Sequence, residues 1–391
     1  MRRYKLLKIR NVASICFFML WVNCFSQNQV SREILFESKY SEVKKLFAQK
    51  KYPEAITAIN KLVLRNPDEG INYFSRAVLD FYNKKSSWET DTTIINDCSK
   101  AQKLGYANSE LNYLLFLVYL RNIDFLDLDH FTYENPSTSF DEIVIDPLHI
   151  KEQIDAAIDR DVLNEKYLAS RSYLLGKIYK GKVLWPNTNY ISKADLQTLE
   201  NDCNFLKKFS KIKKNQSYAY WQLSQISLYE VADTIKSIEY LTNAIECTPE
   251  NPDLLWQRGS LKHKMKYYQG AIADYTTYLN KKKFLDDFED ADIFKKRGDC
   301  YSELKKDSLS VLDYTRSIQM LERAKEILLK KNDAAAASRI EGINIYLRFR
   351  YYDRGIIYVQ LKQDAKACKD FNKAIDLGST ESIDLIKKYC R

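Results

Sequence analysis

The residues with the greatest chemical potential in this chain of 391 residues are seven carboxylates between Asn122 and Ile150: Asp124, Asp127, Asp129, Glu134, Asp141, Glu142 and Asp146. No Lys or Arg lies among them. Asp124, Asp127 and Asp129 beside His130 could offer a hard cation its oxygen ligands, but a calcium loop needs a glycine at its centre for the sharp turn, and none is present. The stretch therefore reads as a solvated insertion, and no metal is expected. His149 and His263 show no metal-ligand spacing either. GKIYKGKV, Gly176 to Val183, matches GxxxxGK but puts Val183 where a Ser or Thr hydroxyl must meet magnesium. It also falls inside a helical pattern, with Leu175 and Gly176 at the seventh and eighth places and Tyr179 at the eleventh. No cofactor is expected. GxSxG, HExxH and CxxC are all missing and the chain has only 3 His, so the sequence offers no catalytic constellation.

The elements that would position any site are helices. Gly and Pro are 10 and 7, too few for the turns of a sheet protein, and the 28 Tyr and 18 Phe suit stacked helix pairs that need flat wedges between layers. Of the formal charge of +9, five units come from Arg2, Arg3, Lys5, Lys8 and Arg10 at the N-terminus. The remainder is close to balance for a body of this size, so nucleic acid is not an expected partner.

The clearest stretch is Pro252 to Leu279. With Pro252 as position 1, Gly259 stands at position 8, Tyr268 at 17, Ala271 at 20, Tyr275 at 24 and Tyr278 at 27. Small residues at 8 and 20 let two helices of one hairpin cross closely, and the tyrosines fill what remains. The spacing resembles the tetratricopeptide repeat, a helix–turn–helix of about 34 residues. That resemblance implies an all-α, right-handed TPR-type helical-repeat solenoid with a C-terminal capping helix. It covers Phe36 to Gly105 and Tyr218 to Arg391. The expected division is an export signal over 1–26, N-terminal repeats over 27–105, a diverged helical segment over 106–217 carrying the acidic insertion 122–150, C-terminal repeats over 218–380, and a cap over 381–391. Gly105 reads as a left-handed helix cap. The insertion of 23 residues before the last repeat reads as longer helices, because MLERAKEILLKK and RIEGINIYLRFRYY keep apolar residues at helical spacing. Ile383, Ile386 and Tyr389 are expected to form the apolar stripe of the cap.

The N-terminus has a basic region, an apolar run from Val12 to Val22 too short to span a bilayer comfortably, and Cys24 and Ser26 at the places of a small-x-small cleavage site. Cleavage after Ser26 would leave Gln27 first, in a periplasmic or secreted protein. The alternative is a lipid anchor on Cys24 and an outer-membrane lipoprotein. No membrane span is expected in the body.

The signal end FSQ together with ACKDFNKAIDLG and KKYC looks like the exported repeat proteins of Bacteroidetes-type bacteria. This resemblance implies a non-enzymatic scaffold or adaptor that binds a protein or peptide partner in the cell envelope. The alternative is a surface glycan-binding uptake lipoprotein with TPR helices. Some family members grip a peptide carboxylate with Lys or Arg and Asn, but position 9 here holds Ile226, Ser260, Asp299 and Ile356. Positions 2, 5, 9 and 12 of the first helices are expected to face a concave groove and gather Gln222, Tyr229, Trp256, His263, Lys295 and Tyr352. Lys295 with His263 would favour a segment bearing apolar and acidic residues. The other reading is that Trp256 and Tyr352 pack against neighbouring helices.

Position 21 faces the following repeat and holds Ile56, Ile238, Ile272 and Val311, but Cys368 in the last repeat, whose neighbour is the terminal helix bearing Cys390. In an oxidising compartment a Cys368–Cys390 disulfide is expected. Cys98, Cys203, Cys247 and Cys300 have no evident partners.

Overall fold

The computed structural model describes residues 40–83, 88–123, 139–140, 143–144, 147–162, 164–184, 191–282, 289–330 and 334–390. The signal segment with Cys24 and Ser26, and all seven carboxylates of the acidic insertion, lie outside them. The described residues form seventeen helices and one antiparallel pair of two-residue strands, Ser139–Phe140 and Ile143–Val144. They divide into two bodies, one ending at Ser210 and one starting at Lys211.

The N-terminal body holds α1 (Ser41–Ala48), α2 (Tyr52–Arg65), α3 (Gly70–Asn83), α4 (Trp88–Lys103), α5 (Ser109–Ile123), α6 (Pro147–Arg160), α7 (Glu165–Leu184) and α8 (Lys193–Phe209). Each helix packs on its predecessor. The diverged segment therefore continues the hairpin succession despite its lost register. Gly176 to Val183 lies within α7, where backbone N–H groups are spent on the helix, so no phosphate loop exists there.

The C-terminal body holds α9 (Lys213–Tyr229), α10 (Thr234–Cys247), α11 (Pro252–Lys264), α12 (Tyr268–Lys281), α13 (Glu289–Glu303), α14 (Asp307–Leu329), α15 (Ala334–Gln360), α16 (Asp364–Asp376) and α17 (Glu381–Tyr389). Sequential helices pack in antiparallel hairpins, and first helices of adjacent repeats also touch, as α11 and α13 do. The fold is an all-α, TPR-type helical-repeat stack that ends in a capping helix. The inserted residues before the last repeat lengthen α14 to 23 residues and α15 to 27.

Close crossing is visible at the small positions. Ala271 is fully buried beside Tyr275 and Tyr278, and a Cβ added to Gly259 would lie 2.9 Å from a ring carbon of Tyr275. Between the helices of a hairpin the chain passes through the left-handed region at position 15: Lys50, Ala232, Lys266, Lys305 and Lys362 all have φ between 58° and 62°. The following amide then reaches back to close the first helix, as Tyr267 N–H does to the Lys262 carbonyl at 2.8 Å. Gly105 ends α4 with φ of 79°.

A recurring ion pair fastens the hairpins. Arg258, Arg297 and Arg354, at position 7, each grip the carboxylate at position 23 with two parallel bonds: Asp274, Asp313 and Asp370. The third arm of each guanidinium reaches position 25 of the preceding repeat, at Thr242, Thr276 and Thr315. In the N-terminal body Arg76 holds Asp97 and Asn60 in the same way, and its partner lies 21 residues on instead of 16, which matches five residues of sequence, SSWET from Ser86 to Thr90, inserted between the two positions. Arg171 holds Asp202 and Asp155. Arg171 thus occupies position 7 of its repeat, which corrects the expected register at Leu175 and Gly176 by four residues.

The cap differs from expectation in one residue. Ile383 is exposed, while Ser382 is fully buried and Leu385, Ile386 and Tyr389 are half-buried. The inward face is one place out of step because Ser379 ties down the helix start: its hydroxyl meets the Ser382 hydroxyl at 2.9 Å and accepts the Ser382 N–H. Cys368 and Cys390 are bonded, with Cα atoms 5.6 Å apart, which pins the end of α17 to α16. The other described cysteines are free; Cys98, Cys203 and Cys300 are buried. Burial pushes the Cys300 thiol up to about 12.

Candidate functional site: the first-helix face of the C-terminal body

Five of the six proposed groove residues keep some access to solvent, and Trp256, His263, Lys295 and Tyr352 each contact side chains of the C-terminal body. Trp256 on α11 rests its inner edge on the cluster of Leu255, Ala271, Tyr275 and Tyr278, half-buried, and Lys296 of α13 holds its ammonium 5.2 Å from the indole centre. Lys295, beside it, donates to Asp299 at 2.7 Å and lies 3.9 Å from Asp353 on α15. Tyr352 packs beside the cluster around Leu347 and Tyr351, 6.5 Å from the Phe371 ring. His263, at the end of α11, meets the Tyr268 ring edge-on at 5.9 Å.

Gln222 does not belong to this surface. It is 1 % exposed, and its amide donates to the Tyr218 hydroxyl one turn back, so it is a packing residue of α9. Tyr229 is exposed but lies at the C-terminal end of α9, toward the hairpin turn.

Position 6 was missed in the sequence and completes the face. Gln257 accepts from the Trp221 indole N–H at 2.8 Å, tying α9 to α11. Lys296, at position 6 of the next repeat, also pairs with Asp292 at 3.0 Å, and Asp292 accepts from Arg350 of α15 at 3.2 Å. Asp353 is position 6 of the last repeat. The signal for this row was in the sequence as three polar residues at one offset, Gln257, Lys296 and Asp353, none of which the hairpin crossing requires.

The electrostatics differ from the expected basic groove. Lys295, Lys296 and Arg350 are matched by Asp292, Asp299 and Asp353. Burial raises the Asp353 carboxyl above its usual range against the pull of Lys295, whereas at Asp292 the effect of burial is outweighed by Lys296 and Arg350 and the carboxyl is lowered. Burial lowers His263, with Asp299 opposing and Lys295 and Lys296 assisting, so the imidazole is neutral at pH 7. The cations that would attract an acidic segment are already paired, and His263 adds no charge. What the face offers is a half-buried indole, a tyrosine and alternating fixed charges that can exchange partners with a bound chain.

Among the described residues no group of three or more His, Cys, Asp or Glu could hold a metal, and no helix is long and apolar enough to cross a membrane.

No protein-family model matches the sequence, and no curated protein is similar to it. Solved structures similar to it include PilF of Pseudomonas aeruginosa, at 13% identity and a TM-score of 0.41, covering 71% of this chain and 93% of that one. A tetratricopeptide repeat protein from Parabacteroides merdae is 13% identical at a TM-score of 0.41, covering 82% of this chain and 97% of that one. The C-terminal part of a TPR repeat-containing protein from Cytophaga hutchinsonii is 15% identical at a TM-score of 0.32, covering 88% of this chain and 98% of that one.

Proposed function

We propose that this chain is a non-catalytic adaptor whose C-terminal body holds a protein segment along the first-helix face of α11, α13 and α15. The observation that carries this reading is Trp256, a half-buried indole outside the crossing positions and flanked by Lys296. Tryptophan in such a setting commonly dominates a binding surface. The paired charges around it favour a segment with both acidic and basic side chains over a purely acidic one, since each incoming charge must replace an existing partner.

Export to the cell envelope is part of the same proposal. It is supported by the basic, apolar and small-residue succession that ends at Ser26, and by the Cys368–Cys390 bond, which persists in oxidising compartments. Intact mass of the protein recovered from the envelope is expected to show Gln27 as the first residue; a diacylated Cys24 would replace the soluble form with a lipoprotein.

The groove is tested with Trp256→Ala and Lys295→Glu, singly and together, in the full chain. Capture of the envelope partner should fall while the melting temperature changes little. Capture that survives the double variant, or is lost only because the fold is lost, makes Trp256 a packing residue and removes the assignment.

A further inference from the structure

Along the groove, α15 differs from the first helices before it. Its positions 2, 5, 9 and 12 are Phe349, Tyr352, Ile356 and Val359, and Ile345 continues this apolar row one turn earlier. The same four positions of α13 are polar: Asp292, Lys295, Asp299 and Ser302. The row on α15 is separate from the core of the α14–α15 hairpin, which takes Ile343, Leu347 and Tyr351 from another side of the helix and buries them. Tyr352 leans on that core, but no member of the row is buried. Phe349 is 46% exposed although the Arg348 guanidinium lies over its ring at 4.8 Å, and the other four are half-buried.

The five residues follow one another at intervals of four, three, four and three, the spacing of a seam that takes a second helix. Such a row repeats about every 5.3 Å and runs about 21 Å along the axis. A strand shows one face about every 6.6 Å and falls out of step with it after a few side chains. The helix α13 lies alongside at matching height, since Arg350 donates to Asp292 at 3.2 Å and Lys295 lies 3.9 Å from Asp353. Beside Phe349, Tyr352 and Ile356 it therefore sets a negative group, a positive pair and a negative group in turn: Asp292, Lys295 with Lys296, and Asp299. These four side chains keep between 20% and 38% exposure, so an incoming chain can meet them without breaking their present pairs.

Resting on the groove assignment, we propose that the bound segment is an amphipathic α-helix of about four turns that lies along α15. Its apolar stripe covers Ile345 to Val359, and one edge carries a basic, an acidic and a basic side chain, a turn apart, over α13. The apolar stripe supplies the affinity, because it removes the exposed row from water. The charge order selects the partner and its direction, since a helix laid the wrong way or with the opposite edge meets like charges. Trp256 borders the charged side through Lys296 and closes the far edge of the site.

The test uses the full chain and three fluorescein-labelled synthetic peptides of about 16 residues, read by anisotropy. The first has leucines at intervals of four and three and a Lys, Glu, Lys edge. The second has the same residues reordered so that apolar and polar alternate, and the third has the edge reversed to Glu, Lys, Glu. The first should bind about tenfold tighter than the second and about threefold tighter than the third. Phe349→Ser with Ile356→Ser should weaken the first by about tenfold at an unchanged melting temperature. Phe349→Ser alone, at the more exposed residue, serves if the pair lowers that temperature. Binding that survives these substitutions, or no binding of the first peptide, overturns the proposal, and equal binding of the third overturns the edge. Tighter binding of the second peptide, lost with Trp256→Ala, also overturns the helix but leaves the groove standing as the site of an extended segment.

Discussion

Arg297 and Asp313 meet through two parallel bonds of 2.7 and 2.8 Å from neighbouring helices, and the remaining guanidinium arm reaches Thr276 of the repeat before. One side chain thus fixes the crossing within its own hairpin and the seam to the next. The same triple contact at Arg258 and Arg354 makes it a property of the repeat.

Removing only one partner leaves a buried charge. Arg297→Met should destabilise the C-terminal body by about 3 kcal/mol, and Arg297→Met with Asp313→Leu should recover most of that loss. Arg297→Lys should also be costly, because an ammonium cannot replace the two-bond fork and the bond to Thr276 together. Denaturant unfolding of these variants and of Asp313→Leu alone checks the cycle; a double-variant loss equal to the sum of the two single losses would show that the pair does not couple.

The glycines at position 8 are not equivalent. A Cβ at Gly259 or Gly355 would lie 2.9 or 2.5 Å from the Tyr275 or Phe371 ring, but at Gly298 the nearest atoms are 3.4 Å away. Gly259→Ala and Gly355→Ala should therefore destabilise by about 1–3 kcal/mol through overpacking. Gly298→Ala should be neutral or stabilising by up to about 1 kcal/mol, since alanine is the better helix former. Melting temperatures of the three variants decide it.

The Cys368–Cys390 bond closes a separation of 22 residues. Replacing both with Ser should lower stability by about 3 kcal/mol on the chain-entropy account. The loss should concentrate in α17, seen as faster hydrogen exchange there, with α11 to α13 nearly unaffected. Thiol labelling of denatured, unreduced protein should tag neither Cys368 nor Cys390.

His263 gives the fold a pH response of definite sign. Its folded value is lowered mainly by burial, so the unfolded chain takes up a proton first as pH falls. The stability associated with the neutral imidazole is complete above about pH 6.5 and declines as pH drops from there toward the lower folded value. Melting temperature should fall between about pH 7 and pH 5, and His263→Gln should flatten that part of the curve. An identical slope in the variant would assign the response to carboxylates.

The hairpin pattern was legible in the sequence because steric demands at a crossing are local and repeat: Gly259, Ala271, Tyr275 and Tyr278 can be read by offset alone. The same logic placed Cys368 opposite the terminal helix. The Arg–Asp pairs were equally periodic, at positions 7 and 23, but a polar residue at a regular offset looks solvated until a neighbouring helix covers it. Register in α7 failed for a related reason: Gly176 resembles the small crossing residue, whereas the crossing is marked by Arg171, whose partner Asp202 is 31 residues away. The groove was half legible. Offsets placed Trp256, Lys295 and Tyr352 on one face, but only tertiary packing buried Gln222, paired Lys295 with Asp299 and Asp353, and lowered His263. Sequence spacing fixes which side of a helix a residue occupies; how much water it keeps, and which charge sits opposite, depends on helices brought alongside by the stack.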